Sequence, residues 1–230
     1  MGRHLITGAG SGIGAALAEI LAEQGDELLL VARSQRRADE FREQFPGAQA
    51  IVADLADPHL EARLAEVEPP PSLDSMAHVA GVVDLEPVAD LSSASLARAL
   101  QVNLIAPAVL TRWALPALRA GQGTALFVNS TAVLTSGAEW AAYAASKAGL
   151  RAFADVLRAE EAGNGVRVCT LLPSRTATPM QQRVREQEGG DYDPHRYLDP
   201  VSVAETIVSV LDLPPDSTIT ELVLRPTGRR

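Results

Sequence analysis

The chain has 230 residues, 47% hydrophobic and 21% charged, enough apolar content for a sizeable core and too much for a disordered chain. Its formal charge is −9, from 20 Lys and Arg against 29 Asp and Glu, so the phosphate backbone of nucleic acids repels it and no nucleic-acid partner is expected. An anionic ligand needs a local basic patch or a helix N-terminus.

The single cysteine, Cys169, excludes an internal disulfide, and its neighbours Val168 and Leu171 predict a buried thiol. No apolar leader opens the chain, and no uninterrupted run reaches the ~18 apolar residues of a membrane span. A cytoplasmic protein without membrane attachment is expected.

Short apolar runs alternate with longer segments of helical period, the pattern of a parallel sheet with helices on both faces. Leu5 and Ile6 begin the first strand. Ile13, Leu17, Ile20 and Leu21 then recur at helical spacing, and Gly25 follows them. Residues 28–32 are continuously apolar, as a parallel strand covered on both faces requires. Ser34 is placed to cap a polar helix that reaches Phe45, and residues 50–53 form the third strand. Asp57 and Pro58 predict a helix start, with Pro69, Pro70 and Pro71 closing it.

Residues 76–80 form the fourth strand. Ser92 or Ser93 caps a long helix carrying Leu96, Leu100, Leu104 and Trp113, which Pro107 is expected to kink. The fifth strand spans 125–128, a long Ala-rich helix runs from Trp140 to about Glu161, and the sixth strand covers 166–172. Residues 177–199 are polar, with Gly189 and Gly190 in the middle. A helix over 200–211 and a strand over 219–224 complete the chain. No repeat or compositional shift marks a second domain. Residues 1–230 therefore read as one Rossmann-like, doubly wound α/β domain of about seven strands.

Thr7-Gly8-Ala9-Gly10-Ser11-Gly12-Ile13-Gly14 joins the first strand to the first helix. Glycines there let the backbone turn sharply and approach a pyrophosphate, and the helix N-terminus offers N–H groups and a positive dipole end. Tyr143 and Lys147, four residues apart, share a helix face, where a nearby ammonium is expected to lower the tyrosine pKa and make it a general acid/base. Ser130 follows the fifth strand, at the carboxyl edge where open α/β sheets place ligands.

With these motifs in order, the chain resembles the short-chain dehydrogenase/reductase family from about Arg3 to Pro226. The glycine segment resembles the family's T-G-x-x-x-G-x-G loop, and Asp54-Leu55 its acidic dipeptide beside the adenine. Asn103, Ser130, Tyr143 and Lys147 match its Asn-Ser-Tyr-Lys set, with the family's thirteen-residue step from Ser130 to Tyr143. The resemblance implies hydride transfer between a nicotinamide and a carbonyl or alcohol. Tyr143 would be the general acid/base, Lys147 would lower its pKa and hold the nicotinamide ribose, Ser130 would fix the substrate oxygen, and Asn103 would hold a water behind Lys147.

Implied cofactor positions are Gly8, Ser11, Gly12, Ile13, Gly14, Asp54, Leu55, Ala80, Gly81, Asn103, Tyr143, Lys147, Pro173, Thr176 and Thr178. Two departures stand out. The family's N-N-A-G reads His78-Val79-Ala80-Gly81, and its P-G-x-x-x-T reads Pro173-Ser174-Arg175-Thr176-Ala177-Thr178.

The second strand ends with Ala32 where an NAD site has an acidic residue, and Arg33 follows, suited to a 2′-phosphate. NADP(H) is therefore favoured over NAD(H), with Arg36 and Arg37 read as solvated helix charges. An NAD-dependent alcohol dehydrogenase is one alternative. Another is a catalytically weak dinucleotide-binding sensor or scaffold, which the intact Tyr143 and Lys147 count against.

Ala132, Val133, Leu134, Trp140 and part of 178–198 edge an apolar pocket suited to a ketone, aldehyde or diketone. Residues 179–198 are expected to be a substrate lid hinged at the glycine pair. No metal is assigned. The resemblance also implies a homodimer or homotetramer, paired through the helices that carry Asn103 and Tyr143.

Overall fold

In the computed structural model, which describes residues 1–227, seven strands alternate with helices. The strands are β1 (Arg3–Thr7), β2 (Glu27–Ala32), β3 (Gln49–Val52), β4 (Ser75–His78), β5 (Thr124–Val128), β6 (Arg167–Pro173) and β7 (Glu221–Leu224). The helices are α1 (Gly12–Glu23), α2 (Gln35–Gln44), α3 (Leu60–Leu64), α4 (Ser93–Leu100), α5 (Ala106–Gly121), α6 (Ala141–Glu161), α7 (Pro179–Gln187) and α8 (Pro200–Leu211). One sheet in the order β3-β2-β1-β4-β5-β6-β7 holds all seven strands, and each pairing is parallel.

Strand side chains alternate between two cores, as the two-residue period of a strand dictates. Leu30, Leu126 and Leu171 meet Leu17 and Leu21 of α1, Phe41 of α2 and Ile207 of α8. Leu29, Met76 and Phe127 meet Leu64 of α3, Leu110 and Leu118 of α5 and Leu150 of α6. Both faces are covered, which is why strands such as LLLVA read as unbroken apolar runs. Cys169 is fully buried in the first core, and burial pushes its thiol up to about 11, leaving it unreactive.

Helix starts follow the capping residues. Ser34 accepts the Arg37 N–H at 3.3 Å, Ser92 rather than Ser93 accepts that of Ser95 at 3.0 Å, and Asp199 accepts that of Val201 at 2.8 Å ahead of Pro200. The expected helix start at Asp57 is corrected. α3 begins only at Leu60 and is five residues long, while Asp57 accepts the His59 N–H and pairs with Arg63. Its carboxylate closes a turn instead of capping a helix.

The disturbance at Pro107 takes a definite form. Between α4 and α5 lies one wide turn, Gln101–Ile105, in which the Ala106 N–H reaches back five residues to the Gln101 carbonyl. Pro107 has no N–H to return to the preceding turn, so regular i→i−4 bonding is broken here, and Asn103 sits fully buried at the turn's centre. The continuous helix Ser93–Gly121 has 29 residues and a mean hydropathy of 1.2 over its most apolar stretch, which meets the length and composition of a membrane span. Counting consecutive apolar residues does not find it because Arg98, Gln101, Asn103 and Arg112 interrupt the run. Its Leu110 and Leu118 are buried against the sheet.

Candidate active site

Strand order reverses between β1 and β4, and there the carboxyl ends of the strands open into a cleft of about 790 Å³. All the cofactor and catalytic residues expected from the sequence line it except Gly14 and Asn103, which lie behind its surface. Gly8 has φ +77°, and a Cβ there would come 2.8 Å from the Ala80 nitrogen. Gly12 has φ +56°, and its Cβ would meet Thr178 Cγ2 at 2.7 Å. The glycine loop thus touches both the β4 loop and the entry to α7. Ser11 gives α1 no side-chain cap, so the first-turn N–H groups have no side-chain acceptor.

The first departure from the family pattern is resolved by Thr7, to which the sequence reading gave no role of its own. Its hydroxyl accepts the N–H of Val79 at 3.0 Å and of Ala80 at 3.1 Å, fixing the His78-Val79-Ala80-Gly81 segment from β1. His78 does not enter the cleft. It stacks on Phe127 at 4.8 Å and meets Thr111 Oγ1 at 2.9 Å, and burial with the Lys147 charge drops it to about 3, so it stays neutral.

Ser130, Tyr143 and Lys147 converge at the end of β5. The Ser130 Oγ accepts the Ala132 N–H at 3.1 Å, and its hydroxyl is near enough to Tyr143 to pull that phenol's pKa down somewhat. Lys147 Nζ donates to the Val128 carbonyl at 2.8 Å and lies 5.9 Å from the Tyr143 ring centre. Asn129, unnoticed in the sequence, fastens this arrangement. Its Nδ2 donates to the Lys147 carbonyl at 2.9 Å, and its Oδ1 takes the Ser130 N–H at 2.9 Å.

The expected lowering of the Tyr143 pKa is not the net outcome: burial raises Tyr143 above its usual value, and the Ser130 hydroxyl offsets this only in part. Burial also lowers Lys147 to about 8. Asn103 uses both amide N–H groups, donating to the Val82 carbonyl and to Ser146 Oγ, each at 2.9 Å, and its Oδ1 accepts the Val82 N–H at 2.8 Å. It thereby ties the loop after β4 to α6.

At the end of β2, Arg33 is exposed on the cleft and has no ion pair among the described residues. Arg36 is a solvated charge paired with Glu40, as expected, but Arg37 is not simply solvated. It pairs with Glu40 at 2.8 Å, lines the cleft, and sits against Gly10, whose Cβ would lie 3.4 Å from its Cζ.

On the opposite wall, Val83, Tyr143 and Val184 cluster with Leu85, Ala132, Trp140 and Met180. Trp140 meets Tyr143 edge-on at 5.5 Å. Val133 and Leu134, expected here, are not on the lining. The polar segment 177–199 is more ordered than its composition implies. Thr178 accepts the Gln181 N–H at 3.3 Å and caps α7, Met180 and Val184 anchor it, and Gln187 Oε1 accepts the Leu85 N–H at 2.8 Å. Arg175 pairs in a fork with Glu188, which Arg185 also contacts at 2.5 Å, and these guanidinium groups hold the carboxyl down at about 2.

The family model described as short chain dehydrogenase matches residues 3–189. The chain belongs to the short-chain dehydrogenase/reductase family. It is 33% identical over 199 residues to 1-deoxy-11-beta-hydroxypentalenate dehydrogenase of Streptomyces exfoliatus, covering 82% of this chain and 72% of that one. It is 30% identical to a benzil reductase ((S)-benzoin forming) of Saccharomyces cerevisiae, covering 96% and 89%. The structure of an alcohol dehydrogenase from the archaeon Thermococcus sibiricus, complexed with 5-hydroxy-NADP, superposes with a TM-score of 0.84 at 27% identity, covering 100% of this chain and 98% of that one. This family member is an oxidoreductase for small alcohol or carbonyl substrates, and its fold binds a nicotinamide dinucleotide.

Proposed function

We propose that the protein is an NADP(H)-dependent reductase of small apolar carbonyl compounds, with Tyr143 as proton donor. The observation that carries this reading is the convergence of Ser130, Tyr143 and buried Lys147 in one cleft that the glycine loop and Arg33 also line. The residues fit the cofactor. Any Cβ at Gly8 or Gly12 would clash with Ala80 or Thr178, so the loop stays bare backbone, and the first turn of α1 presents N–H groups for a pyrophosphate. Arg33, without a carboxylate partner among the described residues, suits a 2′-phosphate in a protein of net charge −9. The complex of the Thermococcus sibiricus relative with 5-hydroxy-NADP supports the same choice.

NADPH supplies the hydride when bound. Ser130 and Tyr143 hold the substrate carbonyl oxygen by hydrogen bonds, which places its carbon for attack. Because burial keeps Tyr143 protonated, its hydroxyl gives its proton to that oxygen as negative charge develops. The Lys147 ammonium stabilises the tyrosinate left behind and holds the nicotinamide ribose. Asp54, Leu55, Ala80 and Gly81 border the adenosine half, and Pro173, Thr176 and Thr178 the carboxamide. Val83, Val184 and Trp140 keep water from the reacting centre and select an apolar body.

Exposed Ile105 and Val156, on the two helices expected to pair, support a homo-oligomer, checked by its mass in solution. The functional reading is tested by NADPH and NADH oxidation against a panel of ketones, aldehydes and diketones. Turnover with NADPH preferred is expected. Tight NADPH binding with no turnover on the whole panel would sink it.

A further inference from the structure

Among the described residues, five buried side-chain atoms have no hydrogen-bond partner: His78 Nδ1, Thr124 Oγ1, Thr170 Oγ1, Ser174 Oγ and Gln181 Nε2. The first three belong to strands inside the sheet. Only Ser174 and Gln181 line the cleft, Ser174 on the connection that leaves β6 and Gln181 within α7. Gln181 is 6% exposed, on the first turn of α7. A buried donor left unpaired costs about 1–3 kcal/mol, so two in one wall are expensive unless a ligand satisfies them. The neighbouring hydroxyls are already committed, Thr176 Oγ1 to the Ser174 carbonyl at 3.0 Å and Thr178 Oγ1 to the Thr176 carbonyl at 3.3 Å.

Chemistry limits what these two groups accept. Gln181 Nε2 carries only N–H donors, so it needs an oxygen acceptor, while the Ser174 hydroxyl can donate or accept. Both residues line the same cleft as Tyr143, and residues beside them in sequence belong to the wall around it. Gln181 lies between Met180 and Val184, both in the cluster with Tyr143. Ser174 precedes Arg175, whose guanidinium stands 5.7 Å over Trp140, itself edge-on to Tyr143. We propose that Ser174 Oγ and Gln181 Nε2 bind a second substrate oxygen adjacent to the reacting carbonyl. This makes vicinal diketones and α-hydroxy ketones the preferred class within the otherwise apolar pocket. The inference rests on the reading that the reacting carbonyl sits at Tyr143, and it gives the serine in place of the family glycine a role.

A site built to hydrogen-bond an oxygen discriminates against an analogue that lacks it. The test compares 1-phenylpropane-1,2-dione with propiophenone in wild type, Gln181→Met, Ser174→Ala and Ser174→Gly. kcat/KM with NADPH is measured for each, with calorimetric affinity of both ketones for the protein–NADP⁺ complex and of NADP⁺ alone. Wild type should favour the dione at least tenfold in both assays, and each variant should collapse that ratio toward one. Gln181→Met should melt no lower than wild type, because it removes an unpaired buried donor. If it does not fold, the two Ser174 variants carry the test.

Equal losses on both ketones, or a wild type without preference, would overturn the proposal. So would a loss of NADP⁺ affinity matching the loss on the dione, since the oxygen recognised would then be the nicotinamide carboxamide. Preferential dione binding that the variants abolish, without turnover of either ketone, would instead remove the reductase reading and leave the oxygen site standing.

Discussion

The two ends of the cleft are built differently. At the β1–β2 end the ligand-facing surface is mostly backbone. Gly8 and Gly12 hold positive φ, and Thr7 pins the next loop through two N–H groups. At the β6–α7 end it is made of side chains from distant segments: Val83, Tyr143, Trp140, Met180 and Val184, with the unpaired polar atoms of Ser174 and Gln181 among them. A backbone cradle suits a part shared by every reaction, because a dinucleotide always presents the same phosphates. A side-chain wall suits the part that differs, because it can be rebuilt residue by residue without moving the sheet. Changes at the first end should therefore act on cofactor affinity, and changes at the second on substrate choice and turnover.

The largest effect is expected where the two ends meet. Tyr143→Phe removes the proton donor and keeps the ring against Trp140, so kcat should fall ~10²–10⁴-fold with NADPH affinity little changed. Near-normal kcat would exclude Tyr143 as the acid. The wild-type pH profile sharpens the point. Lys147 is charged below about 8 and loses its proton as pH rises through that value. Support for the developing tyrosinate then disappears, so the reduction rate should be level near neutrality and fall on the alkaline side of about pH 8. A profile still rising through pH 9 would contradict the assignment.

Arg33→Ala tests the backbone-built end with a smaller effect. Hydrogen bonds to charged groups are worth roughly 1.5–3 kcal/mol, so NADPH should bind on the order of tenfold or more weakly while NADH affinity barely moves. Fluorescence titration with both cofactors measures the split, and equal weakening would remove Arg33 from the 2′-phosphate. Arg37, on the same stretch of cleft, is the residue to test next in that case.

The sheet was legible because its inner strands are covered on both faces, so LLLVA and TALFV stand out as short apolar runs. The glycine loop and the Ser130–Tyr143–Lys147 set were legible because their spacings are local or nearly so. What could not be read depends on packing between distant segments. Arg37 and Arg36 look alike in sequence, and only the path of α2 past the glycine loop sets Arg37 against Gly10. Asn129 looks like an ordinary residue after a strand, yet it spans to the Lys147 carbonyl. Lys147 is visible four residues from Tyr143, whereas the burial that dominates the pKa of both is not. The helix within the expected lid, α7, is not visible in the sequence because two anchors in a polar stretch carry little periodicity, and Met180 and Val184 matter only once Val83 packs against them.

The smallest predicted effect concerns movement of the substrate-side wall. We propose that residues 179–198 close over bound cofactor, with α7 as the moving body and the Arg175–Glu188–Arg185 cluster as its latch. Thr178 touches Gly12 at one end of α7, so cofactor on the glycine loop can bias the helix toward closure. Gly189, at φ +67°, lies just beyond Glu188, where a hinge needs backbone freedom. The Glu188 carboxyl is held at about 2, below its unfolded 4.5, so the latch is fully present above about pH 4.5 and is lost as pH falls toward 2. It therefore stays constant across a neutral assay range, and any pH dependence there belongs to Lys147. The latch is part-exposed, so Glu188→Gln should cost about 1 kcal/mol, roughly fivefold in the opening equilibrium. Hydrogen exchange across 179–198 should be faster in Glu188→Gln than in wild type and slow on addition of NADPH in both. Full protection without cofactor, unchanged by the substitution, would mean that α7 is a fixed wall and that substrate enters by another route.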